Sequence, residues 1–518
     1  PVHVVTEEEA ADRVWTEETA APRVHLHGNG RYALMITNSG GGYSRWGDFD
    51  LTRWRSDTTL DPWGSFIYVR DVRSDEIWAT THKPFPARTG ELTVRFASDR
   101  AEIHRRMSGI ETILDVTVAT EDDVELRRLR ITNRSLRTRQ LEFTSYVELA
   151  MAPHAADKAH PAFAKMFIET ECPRPGVLIA HRRPRAPGEP PIWTAHVLVA
   201  APSEIQGKLG KGDGIQYETD RGRFLGRGNS AENPAALRTR LTGSVGAVID
   251  PIFSLRCRIT LDPRERQEVT FLTMAASSRE AVLELAGKYT VPGAVSRAFE
   301  MAWTRAQLEF RFLRIGPGSA HRFQELASQM IYPNPRLRPT MDRQVRNRLG
   351  QESLWAYGIS GDLPMLVVTL SDQRNLSLVR EVLLAQAYWR LRGFKADVII
   401  LNQEGPSYDQ PLRLEILRQI QAHASEAGMD RPGGVFLRDW HSIPEEHRNL
   451  ILASACILLS GNRGSLQQQL VPAAEGLPLP AFVPSGSGQE EPSAPLPFLE
   501  LPYFNGLGGF TRDGREYA

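Results

Sequence analysis

The chain has 518 residues, 41 % of them hydrophobic and 24 % charged, with a formal net charge of zero. That composition belongs to a folded globular protein rather than a disordered one. The charge balance argues against a general nucleic-acid binder, which would carry a basic excess. At roughly 150 residues per domain the length predicts about three domains, although a large β-sandwich can use ~250 residues alone. Cys172, Cys257 and Cys456 are too sparse for a disulfide framework or a metal site and read as buried small hydrophobes in a reducing compartment. No run reaches the ~18 apolar residues needed to span a bilayer, and no secretory signal pattern opens the chain. It begins at Pro1 rather than Met, which points to an excised piece of a longer protein.

From Val24 to Thr273 the pattern is β. Leu92 to Phe96, Ile113 to Val118, Leu126 to Ile131 and Gln140 to Val147 alternate apolar and polar residues. Period-two alternation buries one face and wets the other, as in antiparallel sheets. Turn signals at Ser98-Asp99-Arg100, Asn133-Arg134-Ser135 and Leu261-Asp262-Pro263 separate the runs. So many regularly spaced strands predict stacked sheets, in a sandwich larger than an immunoglobulin domain.

Near Arg279 the period changes. Helices are expected over 278–286, 294–312 and 320–332, the last stopped by Pro333 and Pro335. In the second of these, Trp303, Leu308 and Phe312 read as nearly one apolar stripe. Met365 to Leu370 is an unbroken apolar run, suited to a strand buried on both faces. A helix over 378–392, a strand over 396–401, a helix over 412–422 and a short strand over 434–437 follow, with 445–459 read as a further helix or strand. This alternation implies parallel pairing in a small α/β layer. After Leu470 the chain turns Pro-, Gly- and Ser-rich, a linker composition.

The densest cluster of chemistry runs from Gly40-Gly41-Gly42-Tyr43-Ser44-Arg45-Trp46-Gly47-Asp48 through Arg53 and Trp54 to Trp63. Aromatic faces stack on the apolar faces of sugar rings, while Arg, Asp and Ser hydrogen-bond the hydroxyls. Tyr43, Arg45, Trp46, Asp48, Arg53, Trp54 and Trp63 are therefore the candidate substrate-binding residues. The competing reading is structural, with Trp filling core and the glycines relieving a tight turn. Asp48, Asp50, Asp57 and Asp61 invite a glycosidase carboxylate pair, but sequence proximity does not fix carboxyl separation, and such residues are common in turns. His154 and His160 match no metal motif and read as loop histidines. The glycines before Met365 precede a strand rather than joining strand to helix, so they form neither a P-loop nor a dinucleotide fingerprint. Catalytic residues stay unassigned, and no metal or cofactor is expected.

Asn29-Gly30-Arg31-Tyr32, Thr37-Asn38-Ser39-Gly40-Gly41-Gly42-Tyr43-Ser44, Thr52-Arg53-Trp54-Arg55 and Trp63 through Asp71 resemble the cyclic β-1,2-glucan synthases. These are long bacterial proteins with glycoside hydrolase family 94 modules, formerly glycosyltransferase family 36. The resemblance continues through His160-Pro161-Ala162-Phe163, Phe224-Leu225-Gly226-Arg227-Gly228, Asp250-Pro251-Ile252-Phe253 and Leu354 to Pro364. It implies a β-supersandwich of the galactose-mutarotase-like, carbohydrate-binding type over 1–275. A helical linker over 276–345, an α/β domain over 346–470 and a Pro/Gly-rich tail over 471–518, leading to a next domain, complete the expected division.

The resemblance also implies β-glucan or glucooligosaccharide and other domains of the parent as partners. It places the parent at the cytoplasmic face of the bacterial inner membrane. The family's phosphorylase-like module adds an (α/α)₆ barrel carrying a general-acid Asp. The helical content after Thr273 is too short for that barrel. The expectation is therefore a glucan-contacting or supporting module. The alternatives are an active phosphorylase or glucosyltransferase, and a scaffold that touches no sugar.

Overall fold

The computed structural model describes residues 12–16, 19, 21–85, 90–184, 186–200, 214–405, 409–423, 428–470 and 501–517. They fall into two compact units, Pro1–Ala473 and Ala474–Ala518.

Two nine-stranded sheets dominate the first unit. Edge to edge, the first sheet runs Arg13–Trp15, Glu91–Phe96, Ala101–Met107, Ile110–Val118, Val124–Asn133, Arg266–Ala276, Ile192–Ala200, Val177–Arg182 and Ile168–Arg174, every neighbour antiparallel. The second runs Gln216–Asp220, Pro251–Leu261, Arg139–Pro153, Phe49–Thr52, Gly42–Trp46, Tyr32–Thr37 and Val24–Gly28. In this sheet the long Arg139–Pro153 strand also pairs Phe66–Asp71, which in turn pairs Ile77–Ala79. Register shifts between Leu149 and Ala152, where Met151 takes a φ of +46°. Such a bulge bends a strand and changes its partner. Alternation sends Leu34, Ile36, Leu114, Leu129, Phe143 and Phe271 into the core between the sheets.

Helices close both outer faces. Helices α1 (Arg279–Lys288) and α2 (Ala294–Leu313) cover Leu126, Leu272 and Met274 of the first sheet. Ser278 caps α1, its hydroxyl accepting from the Ala281 N–H at 3.1 Å. The buried face of α2 is Val295, Ala298, Phe299, Ala302, Ala306 and Phe310. This corrects the expected stripe, because Trp303, Leu308 and Phe312 are 54, 58 and 73 % exposed. Alanines at helical spacing let the helix axis approach the sheet, and the bulkier residues lie outside that face.

Helix α3 (Pro317–Ile331) lies on the second sheet, with Phe323, Leu326 and Met330 packed against Val24, Leu26, Tyr43 and Trp54. It also closes that sheet's free edge. Ser328 Oγ accepts from Val24 N at 3.0 Å, and Gln324 binds both the N–H and the C=O of Leu26, at 2.8 and 2.9 Å. An edge strand otherwise presents unpaired backbone groups that invite pairing with another chain.

The same core continues into a four-stranded parallel sheet, ordered Val435–Asp439, Asp397–Asn402, Met365–Leu370, Ile457–Ser460. Leu366, Val368 and Leu370 face helices α4 (Leu376–Arg390) and α5 (Pro411–His423). Met365 and Val367 face helix α6 (Glu445–Ala453). Both faces being covered explains the unbroken apolar run. The segment 445–459 resolves into helix α6 and the Ile457–Ser460 strand. In the second unit, Tyr503–Phe504 and Gly509–Phe510 form an antiparallel hairpin. The tail residues 471–500 lie outside the described residues.

Candidate functional site

The Gly28–Asp71 segment supplies strands Tyr32–Thr37, Gly42–Trp46 and Phe49–Thr52, so its side chains divide between the two faces of the second sheet. Tyr43 and Trp46 are three residues apart in one strand, and the pleat sends them to opposite sides. Tyr43 joins the core shared with α3 and the parallel sheet, and its ring packs edge-on against Trp54 at 5.4 Å. Trp54 is 7 % exposed and packs edge-on against Tyr332 at 6.3 Å; Trp63 packs on the same core. Trp46 packs on the core between the sheets, its indole N–H donating to Asp123 Oδ2 at 2.8 Å.

Asp48, at the hairpin tip, is exposed and pairs with Lys395 Nζ at 2.9 Å. The Arg45 guanidinium lies 4.1 Å over the Tyr43 ring and pairs with Asp50, whose other oxygen meets His154 Nδ1 at 2.6 Å. The four aromatic residues therefore do not line one open groove.

Arg53 is the hub of a charged cluster. Its guanidinium reaches Asp157 at 3.2 Å, Glu148 at 3.6 Å and Asp250 at 3.7 Å. Arg55 also binds Asp157, at 2.6 Å; Arg221 binds Glu148 at 2.7 Å; Lys165 binds Asp250 at 2.6 Å. Burial acts to raise the Asp157 carboxyl, but hydrogen bonds and charge from Arg53 and Arg55 outweigh it and hold it below the usual range. Four of the quoted motifs meet here. Arg53 belongs to Thr52–Arg55, Asp157 and Lys165 flank His160–Phe163, Arg221 precedes Phe224–Gly228, and Asp250 opens Asp250–Phe253. Sequence reasoning singled out Arg53 and missed Glu148, Asp157, Lys165 and Arg221, although three of these flank the motifs.

Tyr332, which packs against Trp54, also binds Asp61. Asp61 Oδ2 accepts from the hydroxyls of Ser39 at 2.5 Å and Thr37 at 2.8 Å, and its Oδ1 accepts from Tyr332 at 3.0 Å. Burial raises its pKa, and these three bonds oppose the shift. Asp61 holds a φ of +45°, a left-handed conformation costly for a residue with a side chain. The Gly40-Gly41-Gly42 turn makes room for it. A Cβ on Gly41 would stand 2.5 Å from Asp61 Oδ1, and one on Gly40 2.4 Å from Thr81 Cβ. A cavity of about 240 Å³ opens beside this carboxylate, with Trp15, Ser39 and Lys83 among its walls.

Two nine-stranded antiparallel sheets with helices on their outer faces define a large β-sandwich class of protein. Residues 8–292 match the family described as glycosyl hydrolase 94, supersandwich domain, and the chain belongs to that family. It is 34 % identical over 515 residues to the cyclic beta-(1,2)-glucan synthase NdvB of Rhizobium meliloti (strain 1021), covering 95 % of this chain and 18 % of that protein. Against the solabiose phosphorylase of Paenibacillus borealis the identity is 25 % over 296 residues, covering 54 % of this chain and 36 % of that one. A solved galactose mutarotase-like protein from Clostridium acetobutylicum superposes with a TM-score of 0.27 at 7 % identity, over 52 % of this chain and 99 % of that one. The chain thus spans about a fifth of the length of the synthase it matches. Among the described residues, no helix is long and apolar enough to cross a membrane.

Proposed function

We propose that the chain is a non-catalytic module of a cyclic β-1,2-glucan synthase, which contacts glucan and braces neighbouring catalytic domains. One observation carries this reading: the hairpin residues that bear the family motifs are built into the frame. Tyr43, Trp54 and Trp63 join the second sheet to α3 and the parallel sheet, and Arg53 ties four chain segments into one ionic cluster. The carboxylates Glu148, Asp157 and Asp250 each face at least two cations. For Asp157, which Arg53 and Arg55 hold below the usual carboxylate range, that environment favours a fixed anion over a proton-donating acid.

In this reading residues 1–275 are the carbohydrate-binding sandwich, 276–345 the brace, 346–470 an α/β buttress, and 471–518 the lead to a next domain. Arg45, Arg53, Tyr43, Trp54 and Trp63 hold the frame, while Trp46 and Asp48 stand at the hairpin end that a glucan can reach. The parent protein works at the cytoplasmic face of the inner membrane.

The chain is incubated with β-1,2-glucan and phosphate, and glucose 1-phosphate is assayed. None is expected, and its release would establish the alternative, an active phosphorylase. In the full-length synthase Trp46→Ala should alter product length or yield. No change there, together with tryptophan fluorescence indifferent to β-1,2-glucooligosaccharides, favours a scaffold that touches no sugar.

A further inference from the structure

The cavity beside Asp61 is built with more care than packing requires. Asp61 adopts a left-handed backbone conformation, and Gly41 must lack a side chain for the carboxylate to sit where it does. Strained backbone persists where the surroundings over-determine it, and it concentrates at ligand sites. Two independent features therefore fix one carboxylate at the wall of an open cavity.

The chemistry of the lining selects its occupant. Ser39 and Thr37 both donate to Asp61 Oδ2, and each hydroxyl has one proton to give. The two hydroxyls also lie 2.9 Å from each other, so Ser39 is engaged within this cluster, and the hydroxyls of Thr58 and Thr59 at the exposed rim supply the free acceptors. Lys83, on the same cavity, is a donor, and Thr58 at the exposed rim can serve as either. Trp15 and Leu60 add apolar surface. An anion would meet the Asp61 carboxylate, and a purely apolar ligand would strand the hydroxyls. A neutral polyol ring satisfies donors, acceptors and apolar wall together. At about 240 Å³ the cavity is smaller than the roughly 300–1,000 Å³ typical of drug-sized ligands. It therefore takes one ring rather than a chain, and the exposed rim of Thr58, Thr59 and Leu60 leaves an exit for the rest of a longer saccharide.

We propose that this cavity binds a single neutral hexose unit, the terminal glucosyl residue of a β-1,2-linked oligosaccharide. The assignment rests on the carbohydrate reading above and adds a second sugar contact, at the Asp61 cavity, to that of the Trp46 hairpin.

Calorimetric titration of the 518-residue chain with sophorose, a β-1,2-linked glucose disaccharide, tests it, with inorganic phosphate as the anionic comparator. Leu60→Trp and Thr58→Trp fill the rim without touching the bonds to Asp61. Saturable sophorose binding, weakened at least tenfold by both variants at unchanged Tm, is the expected result, with no heat from phosphate. If sophorose does not bind, if it binds equally well to both variants, or if phosphate binds more tightly, the cavity assignment is overturned. Should either rim variant unfold, Lys83→Met gives the same readout from another lining residue. Binding that survives all the cavity variants leaves the module reading standing, whereas release of glucose 1-phosphate removes that reading whatever the cavity does.

Discussion

The phenol of Tyr332 donates a 3.0 Å hydrogen bond to Asp61, joining the end of helix α3 to the loop between the Phe49–Thr52 and Phe66–Asp71 strands, 271 residues earlier. Tyr332 also packs against Trp54, which packs against Tyr43. One side chain thus couples the polar centre at Asp61 to the apolar core shared by the second sheet, α3 and the parallel sheet. Burial and the neighbouring carboxylate both push the Tyr332 phenol well above its ordinary pKa, so it stays protonated as a donor.

Removing that donor should cost stability in a pH-dependent way. Burial raises the Asp61 carboxyl and the Tyr332 bond lowers it, so Tyr332→Phe should raise it further. A carboxyl raised in the folded state contributes stability that is complete below its unfolded value of 3.8 and is lost as pH rises through the folded value. The variant's deficit should therefore be largest at pH 7, about 1–3 kcal/mol for a buried acceptor losing a partner, and should shrink in acid. Urea unfolding of variant and parent at pH 7 and pH 4 measures the difference; an equal deficit at both would detach Tyr332 from the Asp61 ionisation.

Gly41→Ala and Gly287→Ala should have opposite signs. At Gly41 the new methyl would stand 2.5 Å from Asp61 Oδ1, closer than any ordinary contact, and the carboxylate is held by three bonds. Forced over-packing of this kind typically costs about 1–3 kcal/mol. At Gly287, inside α1, no atom lies within 4 Å and the backbone is helical. Alanine there should gain up to about 1 kcal/mol from helix propensity. Thermal unfolding of the two single variants, side by side, checks both signs.

Much of the framework was legible in the sequence because it is written in periodicity. The run from Met365 to Leu370 reads as a strand buried on both faces and is one. The run over 126–131 falls within the Val124–Asn133 strand as expected, but both faces are covered rather than one wetted, with Leu126 under helices α1 and α2 and Leu129 and Ile131 between the sheets. The α2 stripe was misread because aromatic bulk at Trp303 and Phe312 outweighed the true 3.6-residue face, half of which is alanine. The aromatic cluster needed one more step. The odd separation of Tyr43 and Trp46 already places them on opposite faces of any strand. Beyond reach were Tyr332 and Asp157, since each meets the hairpin through tertiary packing over more than 100 residues.

Breaking the Arg53 cluster should be among the costliest changes in the sandwich. Asp157 is fully buried, and Arg53→Met would leave it with Arg55 alone while also freeing charge at Glu148 and Asp250. Removing one partner from a buried ionic cluster costs about 3–5 kcal/mol. The Asp157 carboxyl is held below its unfolded value of 3.8, so its stability is present above that pH and is lost as pH falls through the folded value. Parent and variant should accordingly differ most near neutral pH and converge in acid. Guanidinium unfolding across that range gives the curve, and a constant gap would show that Arg53 acts by packing alone.

Asp397 presents the reverse case, a carboxylate whose ionisation works against the fold. It opens one of the two central strands of the parallel sheet, has no measurable exposure, and accepts from the Gly433 N–H at 2.6 Å through Oδ1. Among the described residues its Oδ2 has no hydrogen-bond partner. Burial, with a smaller contribution from Asp362, pushes the carboxyl up to about 6, against the single lowering bond from Gly433. Stability is complete below the unfolded value of 3.8 and declines as pH rises to about 6. Above that the ionised form penalises the fold by an amount on the order of 3 kcal/mol. Asp397→Asn keeps an acceptor for Gly433 and carries no charge. It should be more stable than the parent by that order at pH 7 and indistinguishable from it near pH 4. Tm measured from pH 4 to pH 8 should show the parent sloping downward relative to the variant between pH 4 and 6 and running parallel above. Parallel curves throughout would mean that Asp397 is already solvated in the native state.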